Sequence, residues 1–176
     1  MDRECINCAL PVKAGEKCSI CGWENKNGKP NWLKIAEKEL GQHEVKGGEN
    51  PRILEYHATC TLHAREDEIP WCSSFVNWCM IQAGIKGTNS AAAKSWLDWG
   101  QKIDTPTFGC VCVIKQRKQK HDPLTGSASG YHVAFWLTEA DGRVYLLGGN
   151  QGDEVKMSSF GLGSYEICGY RMPLGG

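Results

Sequence analysis

Apolar residues recur at helical spacing in the first part of the chain, beginning near residue 31. In the segment NWLKIAEKEL they lie on one stripe, with Asn31 as the expected cap and Gly41 as the stop. Asn50 followed by Pro51 is a cap and first-turn pair, which predicts a second helix running to about Cys60. The stripe of the first helix consists of Trp32, Ile35, Ala36 and Leu40.

Two further helices are predicted before residue 105. The segment WCSSFVNWCMIQAG, opened by Pro70 and closed by Gly84, is apolar almost all round. Because a helix of this kind is buried, we expect it at the centre of the domain, with its amino-terminal end at a surface cleft. The segment AAAKSWLDW predicts the fourth helix, with Ser90 as its cap and Gly100 as its stop.

Beyond residue 105 the pattern changes to short runs of β-branched and aromatic residues that turn residues separate. The runs are GCVCVIKQ, YHVAFWLTEA, RVYLLGG, DEVKMSS and YEICGYRM. Helices followed by an antiparallel meander predict an α+β fold. Residues 117–130 are a long polar stretch, which we expect to be a mobile loop.

Composition divides the chain into a small unit at residues 1–28 and a main domain at residues 29–176. The chain has 176 residues, with 20 Lys and Arg against 20 Asp and Glu, so no whole-molecule attraction to nucleic acid or anionic lipid is expected. The start MDRECINCAL lacks the apolar region of a signal peptide, and no apolar run is long enough to span a membrane. We therefore expect synthesis in the cytoplasm and no membrane insertion.

The amino-terminal unit contains two CxxC pairs with nine residues between them. Two such turns supply four thiolates in the tetrahedral arrangement that structural Zn²⁺ prefers, and a rubredoxin-like iron site is the chemical alternative. In a reducing compartment metal ligands are a better interpretation of these thiols than disulfides. The sequence thus predicts a zinc ribbon, one structural Zn²⁺, held by Cys5, Cys8, Cys18 and Cys21.

Two cysteines lie seven residues apart in the third helix, and their positions predict different roles. Cys72 is in the first turn, where free backbone N–H groups and the helix dipole favour a thiolate and are expected to lower its pKa. Cys79 is two turns further on and lacks that field, so we expect it to be a small core residue. Cys72 is the candidate nucleophile.

A nucleophilic cysteine needs a base and a group that orients the base. His132 begins the strand HVAFWL directly after the polar loop, which makes it the candidate base. If Asp141-Gly142 is a two-residue turn, Gln151 lies opposite His132; a three-residue loop places Asn150 there instead. Either carboxamide can accept the imidazole N–H, with Asn150 as the first choice and Gln151 as the second.

The chain contains, in this order, the four segments PWCSSFVNWC, AGIKGTNSAAAKSWLDWG, HVAF and LGGNQGDEV. In these segments and their order, residues 31–173 resemble a branch of the CHAP and NlpC/P60 superfamily. These are papain-like cell-wall hydrolases, common among phage lysis proteins. The resemblance implies a papain-like α+β fold with Cys72 as nucleophile, His132 as base and Asn150 as orienting group. Many CHAP proteins carry an acidic residue where Gly148 stands here. Some bind calcium ahead of the cysteine, where this chain has Glu66, Asp67 and Glu68.

The sequence therefore predicts an endolysin-like peptidoglycan hydrolase that cleaves the muramoyl-L-alanine amide or a stem-peptide bond. Trp71 and Gln151 are the predicted substrate-binding residues, and catalysis is expected to need no cofactor. We expect a monomer that reaches the cell wall after release or delivery. An intracellular cysteine protease or amidase is one alternative. The other is a non-catalytic zinc-ribbon binding module that contacts nucleic acid through the basic run Lys115, Arg117, Lys118 and Lys120.

Overall fold

The structure is a computed structural model, and it describes residues 3–4, 11–12, 29–61, 70–118 and 121–174. Near the amino terminus the strands β1 (Arg3–Glu4) and β2 (Pro11–Val12) pair antiparallel. The four cysteines of the predicted ribbon and the acidic residues 66–68 lie outside the described residues. The zinc ribbon, its metal and the calcium site therefore stay predictions.

The helices lie close to where the apolar pattern predicts them. They are α1 (Asn31–Lys38), α2 (Pro51–His57), α3 (Cys72–Gln82) and a 3₁₀ helix (Ala93–Asp98). The Asn50 cap is confirmed, since its side chain accepts a hydrogen bond from the backbone N–H of Arg52 at 2.9 Å. Asn31 is the first helical residue and not a cap, because Pro30 precedes the first turn. No helix in the described part of the chain is long and apolar enough to cross a membrane.

Six strands form one antiparallel sheet, which confirms the α+β class. They are β3 (Gln101–Ile103), β4 (Val111–Gln116), β5 (Tyr131–Ala140), β6 (Arg143–Gly148), β7 (Lys156–Gly161) and β8 (Tyr165–Met172). Their spatial order is β3-β8-β4-β5-β6-β7, so β4 to β7 form the predicted meander and β8 returns to pair with β4. The short edge strand β3 was not predicted, because its residues lack an apolar alternation.

Each face of the sheet covers its own hydrophobic cluster, as the alternation of residues along β5 requires. Val133 and Phe135 belong to the larger cluster, which includes α3 and the 3₁₀ helix. Ala134 belongs to the smaller cluster on the other face of the sheet, together with Phe160 of β7 and Tyr165 of β8. The buried helix α3 therefore lies against the centre of the sheet, as its apolar surface predicts.

The β5–β6 hairpin has a two-residue turn, one of the two alternatives that the sequence allowed, but its register changes along the strands. Asp141 and Gly142 have φ of 51° and 68°, typical of a tight hairpin turn, and Ala140 pairs with Arg143. An irregularity between Trp136 and Thr138 shifts the register, and the pairing ends at Phe135–Leu147. His132 therefore has no partner residue on β6, which neither predicted register anticipated.

The polar stretch before β5 is a structured loop over its described residues, and the expectation of a mobile loop is wrong there. Asp122 and Thr125 are fully buried, and Asp122 forms an isolated antiparallel bridge with Ser127. The backbone N–H of Gly152 donates to the carbonyl of Leu124 at 2.8 Å. Residues 121–130 are thus packed onto the chain that follows β6.

Candidate active site

Cys72 is the first residue of α3, and its side chain is 4% exposed. The sulfur interacts with the backbone N–H groups of Val133, Ser73 and Cys72 itself. The contact with Val133 is possible because β6 stops pairing with β5 at Phe135, which leaves this end of β5 uncovered by β6. The candidate nucleophile therefore lies at the end of β5 where His132 stands.

The expected fall in the pKa of the Cys72 thiol does not occur in this structure. Burial raises the pKa to about 11, although the three backbone N–H groups act in the opposite direction. The sequence argument considered only the helix terminus and could not include the loss of hydration around a nearly inaccessible sulfur. Cys72 is therefore a neutral thiol at neutral pH.

The glycine pair before Asn150 brings the chain after β6 against the start of α3. A Cβ at Gly149 would lie 2.5 Å from the Trp71 ring and 2.7 Å from the Phe75 Cβ. A Cβ at Gly148 would lie 2.7 Å from the Cβ of Ala134 in β5. Because such distances exclude any side chain, only glycine fits at these two positions. The segment that contains Gln151 therefore follows a close backbone approach to α3 and β5.

Gln151, and not Asn150, makes the hydrogen bond to His132. Its Oε1 lies 3.0 Å from the Nε2 of His132. Its Nε2 donates to the carbonyls of Lys156 at 2.6 Å and Leu146 at 3.4 Å. Only the amide NH₂ can donate to two carbonyls, so Oε1 must face the imidazole and accept its N–H. The orienting role predicted first for Asn150 is corrected in favour of the second choice, because the chain turns at Asn150, whose φ is 54°.

This contact fixes the tautomer of His132. With the proton on Nε2, the Nδ1 carries the lone pair that can accept a proton. The Nδ1 of His132 is buried and has no hydrogen-bond partner in the described part of the chain. Burial lowers the pKa of His132 to about 4, against the opposite effects of Gln151 and Asp122. At neutral pH the imidazole is therefore neutral and able to act as a base.

The structure brings Cys72, His132, Asn150 and Gln151 to one end of β5, but thiol and imidazole do not touch. No hydrogen bond joins Cys72 to His132 among the described residues, since the Nδ1 of His132 has no partner. The imidazole packs on Phe160 of β7, with ring centroids 5.5 Å apart, whereas the thiol meets the backbone of the next residue, Val133. The thiol therefore belongs to the cluster on the α3 face of the sheet, whereas the imidazole packs against the cluster on the other face.

The substrate-binding roles predicted for Trp71 and Gln151 do not agree with their burial. Trp71 is fully buried, and its Nε1 donates to the Oε1 of Glu44 at 2.7 Å. Gln151 is 1% exposed and has its amide engaged on both sides. Both side chains have a structural role at this end of β5, because neither presents surface to a ligand in this structure.

Several buried polar residues near α3 were not recognised as parts of this region. Ser73 donates to the carbonyl of Ser90 at 2.6 Å and accepts from the Nε1 of Trp96 at 2.9 Å, so it does not cap the helix. Asp122 was assigned to a solvated loop. Its only sequence signal was the Asp-Pro pair, which predicts a turn but not burial. Among the described residues, no group of three or more His, Cys, Asp or Glu could hold a metal ion.

Comparison with known proteins gives one structural similarity to report and no sequence match. No family model matches the chain, and no curated protein matches it. A solved structure from Staphylococcus aureus, described as similar to a lipoprotein of the NLP/P60 family, aligns with a TM-score of 0.49 at 19% sequence identity. The alignment covers 83% of this chain and 41% of that protein. A similarity of this extent carries no argument about fold or function.

Proposed function

We propose that the chain is a papain-like cysteine hydrolase that cleaves an amide bond in peptidoglycan. The observation that carries this proposal is the state of His132. Its Nε2–H is held by Gln151, and its Nδ1 is buried without a partner at the end of β5 where the Cys72 sulfur meets the N–H of Val133. A thiol at a helix start and a base with a fixed tautomer are two groups that thiol hydrolysis needs, and both adjoin the same end of β5.

In the proposed reaction the Cys72 proton moves to the Nδ1 of His132 as the sulfur attacks the substrate carbonyl carbon. The imidazolium then gives this proton to the leaving amine, and a thioester forms on Cys72. Water hydrolyses the thioester with His132 again acting as base, which returns the thiol. The negative oxygen of each tetrahedral intermediate would be stabilised by the backbone N–H of Cys72 at the start of α3.

Substrate binding must bring the thiol and the imidazole together, because Cys72 belongs to the cluster on the α3 face of the sheet whereas the His132 imidazole packs on Phe160 on the other face. A carbonyl placed at the start of α3 would draw the sulfur out of its backbone contacts. The resemblance of the four sequence segments to cell-wall hydrolases supports peptidoglycan as the substrate. The bond is the muramoyl-L-alanine amide or one within the stem peptide, which the chain would reach after release or delivery.

The test is digestion of purified bacterial sacculi by the full chain, with mass spectrometry of the soluble fragments. We expect fragments whose new ends all correspond to one type of amide bond. Cys72→Ala, with native circular dichroism, should release none. Intact sacculi after incubation with folded wild-type protein, beside an active control hydrolase, would overturn the proposal.

We also propose that residues 1–28 form a zinc ribbon. The pairing of β1 with β2 supports this, because it joins the two sides of the segment that contains Cys5 and Cys8. Elemental analysis should find one zinc per chain, and Cys5→Ser should lower that content. Cys168→Ser, at a half-buried cysteine of β8, is the matched control and should leave it unchanged. Iron in place of zinc, or no tightly held metal, would contradict this part of the proposal.

A further inference from the structure

Asp122 is a fully buried carboxylate in the loop between β4 and β5. The hydroxyl of Tyr165 lies 3.1 Å from each of its oxygens, the hydroxyl of Thr125 donates at 2.9 Å, and the backbone N–H of Leu124 donates at 3.0 Å. All these donors are neutral. Among the described residues no Lys or Arg forms an ion pair with Asp122. A buried charge held only by neutral donors is costly, so its position needs a reason.

The charge lies on the same side of the sheet as the His132 imidazole. The His132 ring packs on Phe160 at 5.5 Å, and Phe160 packs on Tyr165 at 5.0 Å, the residue that holds Asp122. Asp122 acts on His132 electrostatically and favours its protonated form. The titratable groups facing the carboxylate in the described part of the chain are His132 from β5 and Tyr165 from β8, and His121 precedes it in the loop.

Tyr165 does not share the negative charge of Asp122. Burial and the neighbouring carboxylate raise the pKa of its phenol, so it stays a protonated donor at neutral pH. The same loop also supports the orienting group of His132. Leu124 accepts the N–H of Gly152, next to Gln151, and Gly126 packs against the Asn150 side chain. The loop thus joins a fixed negative charge to the segment that orients the base.

We propose that Asp122 is a positioning residue that stabilises the imidazolium of His132 when Cys72 gives up its proton. This inference rests on the proposed function. The proton moves from the Cys72 sulfur to the Nδ1 of His132 and later to the leaving amine, and Asp122 is not part of this transfer. Its negative charge favours the thiolate–imidazolium pair over the neutral pair across the low-dielectric interior.

The test is the rate at which iodoacetamide alkylates Cys72 in the full chain, followed by peptide mass spectrometry across pH 5 to 9. Alkylation reports the thiolate and does not depend on any peptidoglycan activity. Asp122→Asn should slow alkylation of Cys72 near neutral pH by roughly tenfold, the equivalent of about one pKa unit. Asp122→Glu, which keeps the charge, should recover most of the rate.

Tyr165→Phe is the structural control, because it disturbs the same cluster and keeps the carboxylate. An unchanged rate in Tyr165→Phe beside a slowed rate in Asp122→Asn supports the proposal. If Asp122→Asn does not fold, a roughly tenfold lower rate in folded Tyr165→Phe, which keeps the carboxylate, would overturn it. An unchanged rate in folded Asp122→Asn would overturn it, and so would an equal fall in both variants. Intact sacculi together with the expected alkylation pattern would contradict the proposed function and leave the role of Asp122 standing.

Discussion

Two buried polar groups adjoin the amino-terminal half of α3, and each contains a thiol, an imidazole and a carboxamide. The candidate active site consists of Cys72, His132, Asn150 and Gln151. The helix-side network consists of His57, Cys60, Ser74 and Asn77. Both groups are almost inaccessible to solvent. Their residue types are so similar that composition alone cannot decide which of them does chemistry.

The helix-side network uses its polar atoms to connect segments of the chain. The Nδ2 of Asn77 donates to the carbonyls of Ser73 and Ser90, each at 3.1 Å, and its Oδ1 accepts the N–H of Asn89 at 3.0 Å. The Ser74 hydroxyl lies 3.2 Å from the Nδ1 of His57 and accepts the Cys60 thiol at 3.5 Å. These contacts hold α2 and the residues before the 3₁₀ helix onto α3, so the network is structural.

The candidate active site lies at the end of β5. The Nδ1 of His132 and the Oδ1 of Asn150 are buried without a hydrogen-bond partner in the described part of the chain. Such atoms carry a free-energy cost of about 1–3 kcal/mol each, which evolution retains where a proton or a ligand has to arrive. The two groups therefore differ in the elements that they connect, because the helix-side network joins α2 to α3 whereas the candidate active site joins β5 to the segment after β6.

Separate substitutions of His132 and His57 should give the largest difference in digestion rate. We expect His132→Gln to lower the rate of sacculus digestion by about a thousandfold, because the base is lost. His57→Gln should keep the rate per folded molecule and lower the free energy of unfolding by about 1–3 kcal/mol. Digestion assays and urea unfolding of both variants measure this. A comparable loss of rate in folded His57→Gln would show that the wrong network was chosen.

The two carboxamides of the site should differ less, but clearly. Gln151→Ala removes the contact that fixes the tautomer and position of His132, so we expect roughly a hundredfold lower rate. Asn150→Gly keeps the positive φ and removes the side chain, and its effect should be smaller. Initial digestion rates at equal folded concentration provide the measurement. The reverse order would restore Asn150 as the orienting residue.

The stability of the protein should depend on pH through His132. Its pKa is about 4 in the folded chain and 6.5 ordinarily. Between these values the unfolded chain binds a proton that the folded chain does not. The free energy of unfolding therefore falls as pH falls through this window, by about 3 kcal/mol in all, and is unaffected by His132 above it. Urea unfolding at several pH values should show a shallower fall in His132→Gln, and equal curves would contradict the burial of a neutral imidazole.

Ser74→Ala tests the structural network with the smallest expected effect. It removes one hydroxyl that contacts His57 and Cys60, so we expect the free energy of unfolding to fall by about 1 kcal/mol. Digestion per folded molecule should not change, although Ser74 is only two residues from Cys72. Thermal unfolding and digestion measured on one preparation check both statements. A large loss of rate would mean that the two networks are coupled.

Sequence reasoning located most of the fold because its signals are local. The apolar α3 and the Asn50 cap each depend on neighbouring residues, and each is observed. The exchange of Asn150 for Gln151 could not be predicted, because it depends on the turn at Asn150, whose φ is 54°. The irregularity between Trp136 and Thr138 moves the hairpin into the register that would place Asn150 opposite His132, but β6 ends at Gly148 and Gln151 reaches the imidazole instead.

Burial and long-range contacts account for the other differences. The position of Cys72 predicted a lowered pKa, but the packing of α3 and the sheet around the sulfur raises it. Asp122 lies in a polar stretch, and only its contact with Tyr165, 43 residues later in the chain, reveals a buried carboxylate. Local patterns do not report the packing of distant segments, which is where the candidate site departs from the sequence-based prediction.

The two cysteines of α3 provide the most direct test of the central claim. Both thiols are buried and burial raises both pKa values, but only Cys72 meets the backbone of Val133 at the end of β5. The measurement is the rate of fragment release from sacculi by wild type, Cys72→Ala and Cys79→Ala, all at matched folded concentration. We expect no release by Cys72→Ala and a rate near that of wild type for Cys79→Ala. Wild-type release by folded Cys72→Ala would contradict the account.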